Sequence, residues 1–144
     1  GGCAHSIYIG QYGSLTVTRS RFEQGTGGHY IKMRGARVSI TNNSFDDSRG
    51  DETNFMIDLP NGSTGLIANN WFVQGASKDN HSALIVIGAT EKTRSSDGLT
   101  IADNVARFAP SAERSSNFVV DFSGDRIVLR DNELAEGLKP LDRR

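Results

Sequence analysis

The sequence predicts an all-β fold, a parallel β-solenoid of about five coils, on three observations. A nine-residue segment recurs five times along the chain. A shorter segment with apolar residues flanking a variable middle position precedes each copy, which is the period-two signature of a strand. Helical periodicity is nearly absent. An ordinary β-sandwich is the alternative, but it needs regular turn signals and supplies no columnar code.

The short strands come first in each coil: Ile7-Tyr8-Ile9, Ile31-Lys32-Met33, Ile57-Asp58-Leu59, Ile85-Val86-Ile87 and Val120-Asp121-Phe122. The longer segment follows and is read down its columns. Val17, Ile40, Ile67, Ile101 and Leu129 fill one column, with successive spacings of 23, 27, 34 and 28 residues. Constant content at variable spacing means that loops of different length join fixed strands. Ser20, Asn43, Asn70, Asn104 and Asn132 form a second column. At a coil corner the amide of this Asn bonds the Asn of the next coil, and the residue itself tolerates left-handed backbone and satisfies backbone groups at the bend. Phe22, Phe45, Phe72, Ala106 and Leu134 form a third column, expected to stack in the interior. Residues 105–114 are the best candidate for a helical turn, interrupted by Pro110. Residues 135–144 are polar, carry Pro140, and are expected to cover the last coil as a tail.

Composition narrows the function. One domain over residues 1–144 fits the length. With 16 basic and 17 acidic residues the net charge is −1, which suggests neither a nucleic-acid surface nor a polybasic membrane patch. The longest aliphatic run, Leu84-Ile85-Val86-Ile87, is far too short to span a bilayer. The single cysteine, Cys3, leaves no intrachain disulfide and no thiolate cluster. The chain starts at Gly1 without an initiator Met and reads as a piece of a longer or processed protein. Residues 1–4 offer no capping helix, so the first coil is expected to present an open edge prone to self-association.

Alternation sorts the short strands by face. Tyr8, Lys32, Asp58, Val86 and Asp121 are expected to point outward, as are Ser6, Tyr30, Met56, Leu84 and Val119 one step earlier, and Gly10 and Arg34 one step beyond. His5 and His29 each precede a short strand by two residues and should stack on one another, their face left open. A polar group of His5, Tyr8, His29, Tyr30, Lys32, Arg34 and Asp58 therefore gathers on three adjacent coils. It mixes acid, base and cation. Polar aromatic surface suits sugar rings, and Arg34 suits a carboxylate in two bonds. The structural alternatives are an exposed Lys32–Asp58 ion pair, worth about 0–1 kcal/mol, and a neutral His5–His29 corner stack.

Other signals are weaker. Asp46-Asp47 and Asp51-Glu52 are loop acids that more commonly accept backbone bonds than serve glycoside hydrolysis. The same acids could bind calcium, but no spaced calcium loop is visible and the three histidines lack metal-motif spacing, so no metal or cofactor is expected.

Asn-Asn-Ser-Phe, Asn-Asn-Trp-Phe and Asp-Asn-Glu-Leu, ending at Phe45, Phe72 and Leu134, resemble the corner of the right-handed parallel β-helix, or pectate-lyase-like, superfamily. His5-Ser6-Ile7-Tyr8-Ile9-Gly10, Gly28-His29-Tyr30-Ile31-Lys32-Met33-Arg34 and Asp58-Leu59-Pro60-Asn61-Gly62 are similar to exported bacterial members of it. The resemblance implies a right-handed winding and a secreted or periplasmic location. The fold hosts lyases, hydrolases, epimerases, tailspikes and adhesins. The clustered strand aspartates that hold calcium in pectate lyases are absent.

Two functions are expected from this pattern. One is a lyase or epimerase acting on an acidic, uronate polysaccharide, with His5, Tyr8, His29, Lys32, Arg34 and Asp58 as the catalytic group and Tyr30 and Arg34 binding substrate. Arg34 with Lys32 is expected to neutralise the carboxylate, His29 or His5 to act as base, Tyr8 to protonate the leaving oxygen and Asp58 to hold Lys32. The other is a non-catalytic carbohydrate-binding or structural module of an exported or phage protein.

Overall fold

A computed structural model describes residues 5–144. They form sixteen strands and, among the described residues, no helix. The first pass of the chain makes β1 (Ile7–Ile9), β2 (Ser14–Thr18) and β3 (Arg21–Glu23); the second makes β4 (Ile31–Met33), β5 (Arg37–Thr41) and β6 (Ser44–Asp46). The third makes β7 (Ile57–Leu59), β8 (Thr64–Ala68) and β9 (Trp71–Gln74), and the fourth β10 (Ala83–Ile87), β11 (Thr100–Ala102) and β12 (Val105–Phe108). The fifth makes β13 (Ser116–Asp121), β14 (Val128–Arg130) and β15 (Glu133–Leu134), and β16 (Leu138–Arg143) follows.

Every third strand pairs in parallel. The first sheet runs β1-β4-β7-β10-β13-β16, the second β14-β11-β8-β5-β2 and the third β15-β12-β9-β6-β3. The chain visits the three sheets in turn, an arrangement compatible with a parallel β-helix.

The column code appears in the register. Val17, Ile40, Ile67, Ile101 and Leu129 lie rung on rung in the second sheet. Phe22, Phe45 and Phe72 stack with centroids 4.8 and 4.9 Å apart, and Ala106 and Leu134 continue the row. Between these two sheets the chain turns in two residues. The first, Arg19, Asn42, Asn69, Asp103 or Asp131, takes φ between 50° and 60°, so the left-handed residue is the one before the ladder position and not, as expected from sequence, the ladder Asn itself. The second is the Asn ladder. The Asn43 backbone N–H and amide both donate to Asn70 Oδ1, those of Asn70 donate to Asn104 Oδ1, and those of Asn104 donate to Asn132 Oδ1. Each amide also donates to a carbonyl in the preceding rung, as Asn70 does to Ile40. These buried corner groups would otherwise go unpaired, which explains the residue type.

Four expectations are corrected. Residues 105–114 hold no helical turn. Val105 and Ala106 fill strand positions opposite Trp71 and Phe72, so tertiary register overrides local propensity. Residues 135–144 do cover the last coil, but as a strand and not as an irregular tail: Leu138 and Leu141 lie opposite Ser116 and Val119 of β13 and extend the first sheet. Pro140 is tolerated because β16 is an edge strand. In β13 it is Val119, not Val120, that aligns with Ile85. That slip of one residue reverses the faces: Val119 joins the core, Asp121 sits opposite Ile87, and Phe122 is exposed. Finally, Tyr30, Met56 and Leu84 turn inward, not outward. They share the core with Ile31, Ile57 and Ile85: Tyr30 and Met56 sit at a bend just before their strands, and Leu84 faces inward within β10 itself.

Candidate functional site

The outward column of the first sheet runs Tyr8, Lys32, Asp58, Val86, Val120 and Asp142. Tyr8 is 54 % exposed, whereas the side chain of Asp58 keeps only 8 % of its surface. The strand entry adds a second column. His5 and His29 stack at 5.0 Å and 6°, and Phe55 continues the stack at 5.2 Å.

Each histidine ring closes the ladder where it bends. The His29 N–H donates to His5 Nδ1 at 2.9 Å, and the Phe55 N–H donates to His29 Nδ1 at 3.1 Å. With Nδ1 accepting, each neutral ring carries its hydrogen on Nε2. His29 Nε2 turns to Asp58 Oδ2, 3.3 Å away. Burial, with His5 and Lys32 nearby, lowers the His29 pKa to about 3, so this contact is a neutral imidazole facing a carboxyl group and not an ion pair. Burial raises Asp58 to about 6, against the pull of Lys32 and Arg34. Asp58 Oδ1 is buried without a hydrogen-bond partner. Lys32 Nζ stands 4.0 Å from Asp58 Oδ2, at the limit of an ion pair.

Arg34 is held from two sides. Its Nε donates to Tyr8 Oη at 3.0 Å and its Nη1 to Asn61 Oδ1 at 2.9 Å. Lys32 Nζ and the Arg34 guanidinium lie 6.0 and 5.9 Å from the Tyr8 ring centroid. The insertion at residues 88–97 walls this edge. Asn61 donates to the Glu91 carbonyl at 2.8 Å, and Arg94 donates to the carbonyls of Arg34 and Gln11.

His5, Tyr8, His29, Lys32, Arg34 and Asp58 are thus neighbours. Tyr30 is not among them. It is 2 % exposed and donates through Oη to Asp47 Oδ1 at 2.7 Å, so its expected place on the binding face is corrected. Thr53 and Lys78 also donate to Asp47, and Lys78 donates to the Asn54 carbonyl. This buried knot ties together the loops of three successive rungs. Asp47 therefore belongs to the knot, while Asp46 accepts from Ser48 and lies 3.7 Å from Arg21.

Asn61, Arg94 and Phe55 are contributors that sequence reading missed. Phe55 had a signal: it precedes Ile57 by two residues, as His29 precedes Ile31. Asn61 and Arg94 carried none, because their contacts depend on the path of an irregular loop.

Among the described residues no group of three or more His, Cys, Asp or Glu side chains could hold a metal ion. No protein-family model matches the chain, and neither a curated protein nor a solved structure matches it.

Proposed function

We propose that the chain is a right-handed parallel β-helix of the pectate-lyase-like kind, about five coils long, that acts on an acidic polysaccharide as a lyase or epimerase. The observation that carries the reading is the convergence of Tyr8, Lys32 and Arg34 over the shielded Asp58 on one outward face. A uronate carboxylate would be received by Lys32 and Arg34, the cations at the surface of the site. Drawing the Lys32 ammonium toward substrate takes it off Asp58, which uncovers that carboxyl group and raises its basicity.

Asp58, near a pKa of 6, then removes the proton at C5. Tyr8, whose oxygen already accepts from Arg34, keeps its own hydrogen free to give to the leaving O4. An epimerase would instead return a proton to the opposite face of C5. His29 positions Asp58, and His5 offers Nε2–H to a sugar hydroxyl; because each Nδ1 accepts a backbone N–H, this reading assigns the base to Asp58 in place of the histidine expected from sequence. An exported location, secreted or periplasmic, accords with this substrate class.

The test is incubation with polygalacturonate, alginate and hyaluronan in deuterated water. Ultraviolet absorbance reads unsaturated ends, and nuclear magnetic resonance reads deuterium entering at C5. Absence of both on every polymer overturns the enzyme reading. A second reading, a non-catalytic saccharide-binding face, is favoured by the burial of Asp58; binding of the same polymers without either signal would support it.

A further inference from the structure

Away from the first sheet, the corner between the second and third sheets opens a groove of about 670 Å³. Trp71, the chain's single tryptophan, lies on it and is 43 % exposed. Its rung partners are Ser44 on one side and Val105 on the other. The Arg107 guanidinium covers the ring from the later rung, 5.6 Å from its centroid, and is itself 3.5 Å from Glu133. The small Ser44 leaves the other side of the ring uncrowded. Along the groove floor the exposed side chains of Asn42, Asn69 and Asp103 succeed one another at the rung spacing of about 4.8 Å.

We propose that this groove is a second binding site, separate from the first-sheet face, for a neutral glycan chain. An aromatic ring offers a flat apolar platform to the C–H face of a sugar, and evenly spaced amide and carboxylate groups meet its hydroxyls. The charges around the groove offset one another and give no net cation to hold a uronate: Arg107 meets Glu133, Arg21 meets Glu23 and Asp46, and Arg19 at one end of the lining is balanced by Asp103 at the other. A narrow ligand fits better than a protein partner, which needs about 800 Å² on each side with an apolar centre. Among the described residues of the second and third sheets, only Trp71 and Leu66 are large exposed apolar side chains.

The test reads Trp71 emission during titration with cello-, manno-, xylo- and maltohexaose. One of them should give a saturable blue shift that is insensitive to salt, unlike capture of uronates by Lys32 and Arg34. In Trp71→Ser, which carries the residue found at Ser44, affinity measured by calorimetry should fall at least about tenfold with an unchanged melting curve. Arg34→Ala should bind the neutral glycan as wild type does, so failure of the uronate reading leaves this result standing. Three results would overturn the site: no emission change with any hexasaccharide, binding that survives Trp71→Ser, or a shift that follows protein concentration without glycan and so marks a contact between copies.

Discussion

His29 and Asp58 oppose one another in their response to acid. The His29 pKa is lowered in the folded chain from 6.5 to about 3, so the unfolded chain binds the extra proton between those values. Its contribution to stability is complete above pH 6.5 and is lost as pH falls toward 3. Asp58 is raised from 3.8 to about 6, so its contribution is complete below 3.8 and is lost as pH rises through 6. The larger shift belongs to His29, and this pair should therefore make the protein less stable at pH 3 than at pH 6.5. Phe55 occupies the equivalent place one rung later, so His29→Phe fits the stack. Urea midpoints across this pH range should show a smaller acid loss in that variant; an unchanged profile would remove His29 as its source. At the same site, Lys32→Ala should lower turnover on a responsive uronate polymer by about a hundredfold or more. Wild-type turnover in that variant would mean that Lys32 does not act on developing charge.

The corner and the strand entry differ in how far sequence alone reveals them. The corner was readable because its physical demand admits few answers. A two-residue turn with buried donors calls for a left-handed residue and then a side chain that both donates and accepts, and Asn70 meets the second requirement on both sides. The strand entry was not readable, because strict alternation has no place for Tyr30 and Ile31 facing the same way. The candidate site inherited that error at Tyr30, while Tyr8, Lys32 and Asp58, beyond the bend, kept the expected register. Asn70→Ala would strand the Asn43 N–H and the Ile40 carbonyl and should cost about 3 kcal/mol or more in chemical unfolding. Gly65 makes a sharper local demand. Its φ is 120° and an added Cβ would run into the Val38 carbonyl, so Gly65→Ala should cost about 1–3 kcal/mol by the same measurement. A variant of wild-type stability would show that β5 and β8 separate without penalty.

Over the whole molecule, strand pairing joins each rung only to its neighbours, so stability approximates a sum of rung and interface terms. Amides of β7 and β10, paired on both sides, should exchange with solvent more slowly than those of β1 and β15. Hydrogen exchange followed by mass spectrometry would show a flat profile if the stack instead opened as one unit.

Arg94 departs from this nearest-neighbour pattern. From a loop of the fourth pass it grips the backbone at Arg34 and Gln11, in the second and first passes. Under tension that grip is a brace. A stack held only rung to rung would peel from its first strand in small steps, whereas the braced protein should yield its first four rungs in one larger step. Optical tweezers attached near residue 5 and residue 144 would record that step, and Arg94→Ala should break it into smaller ones.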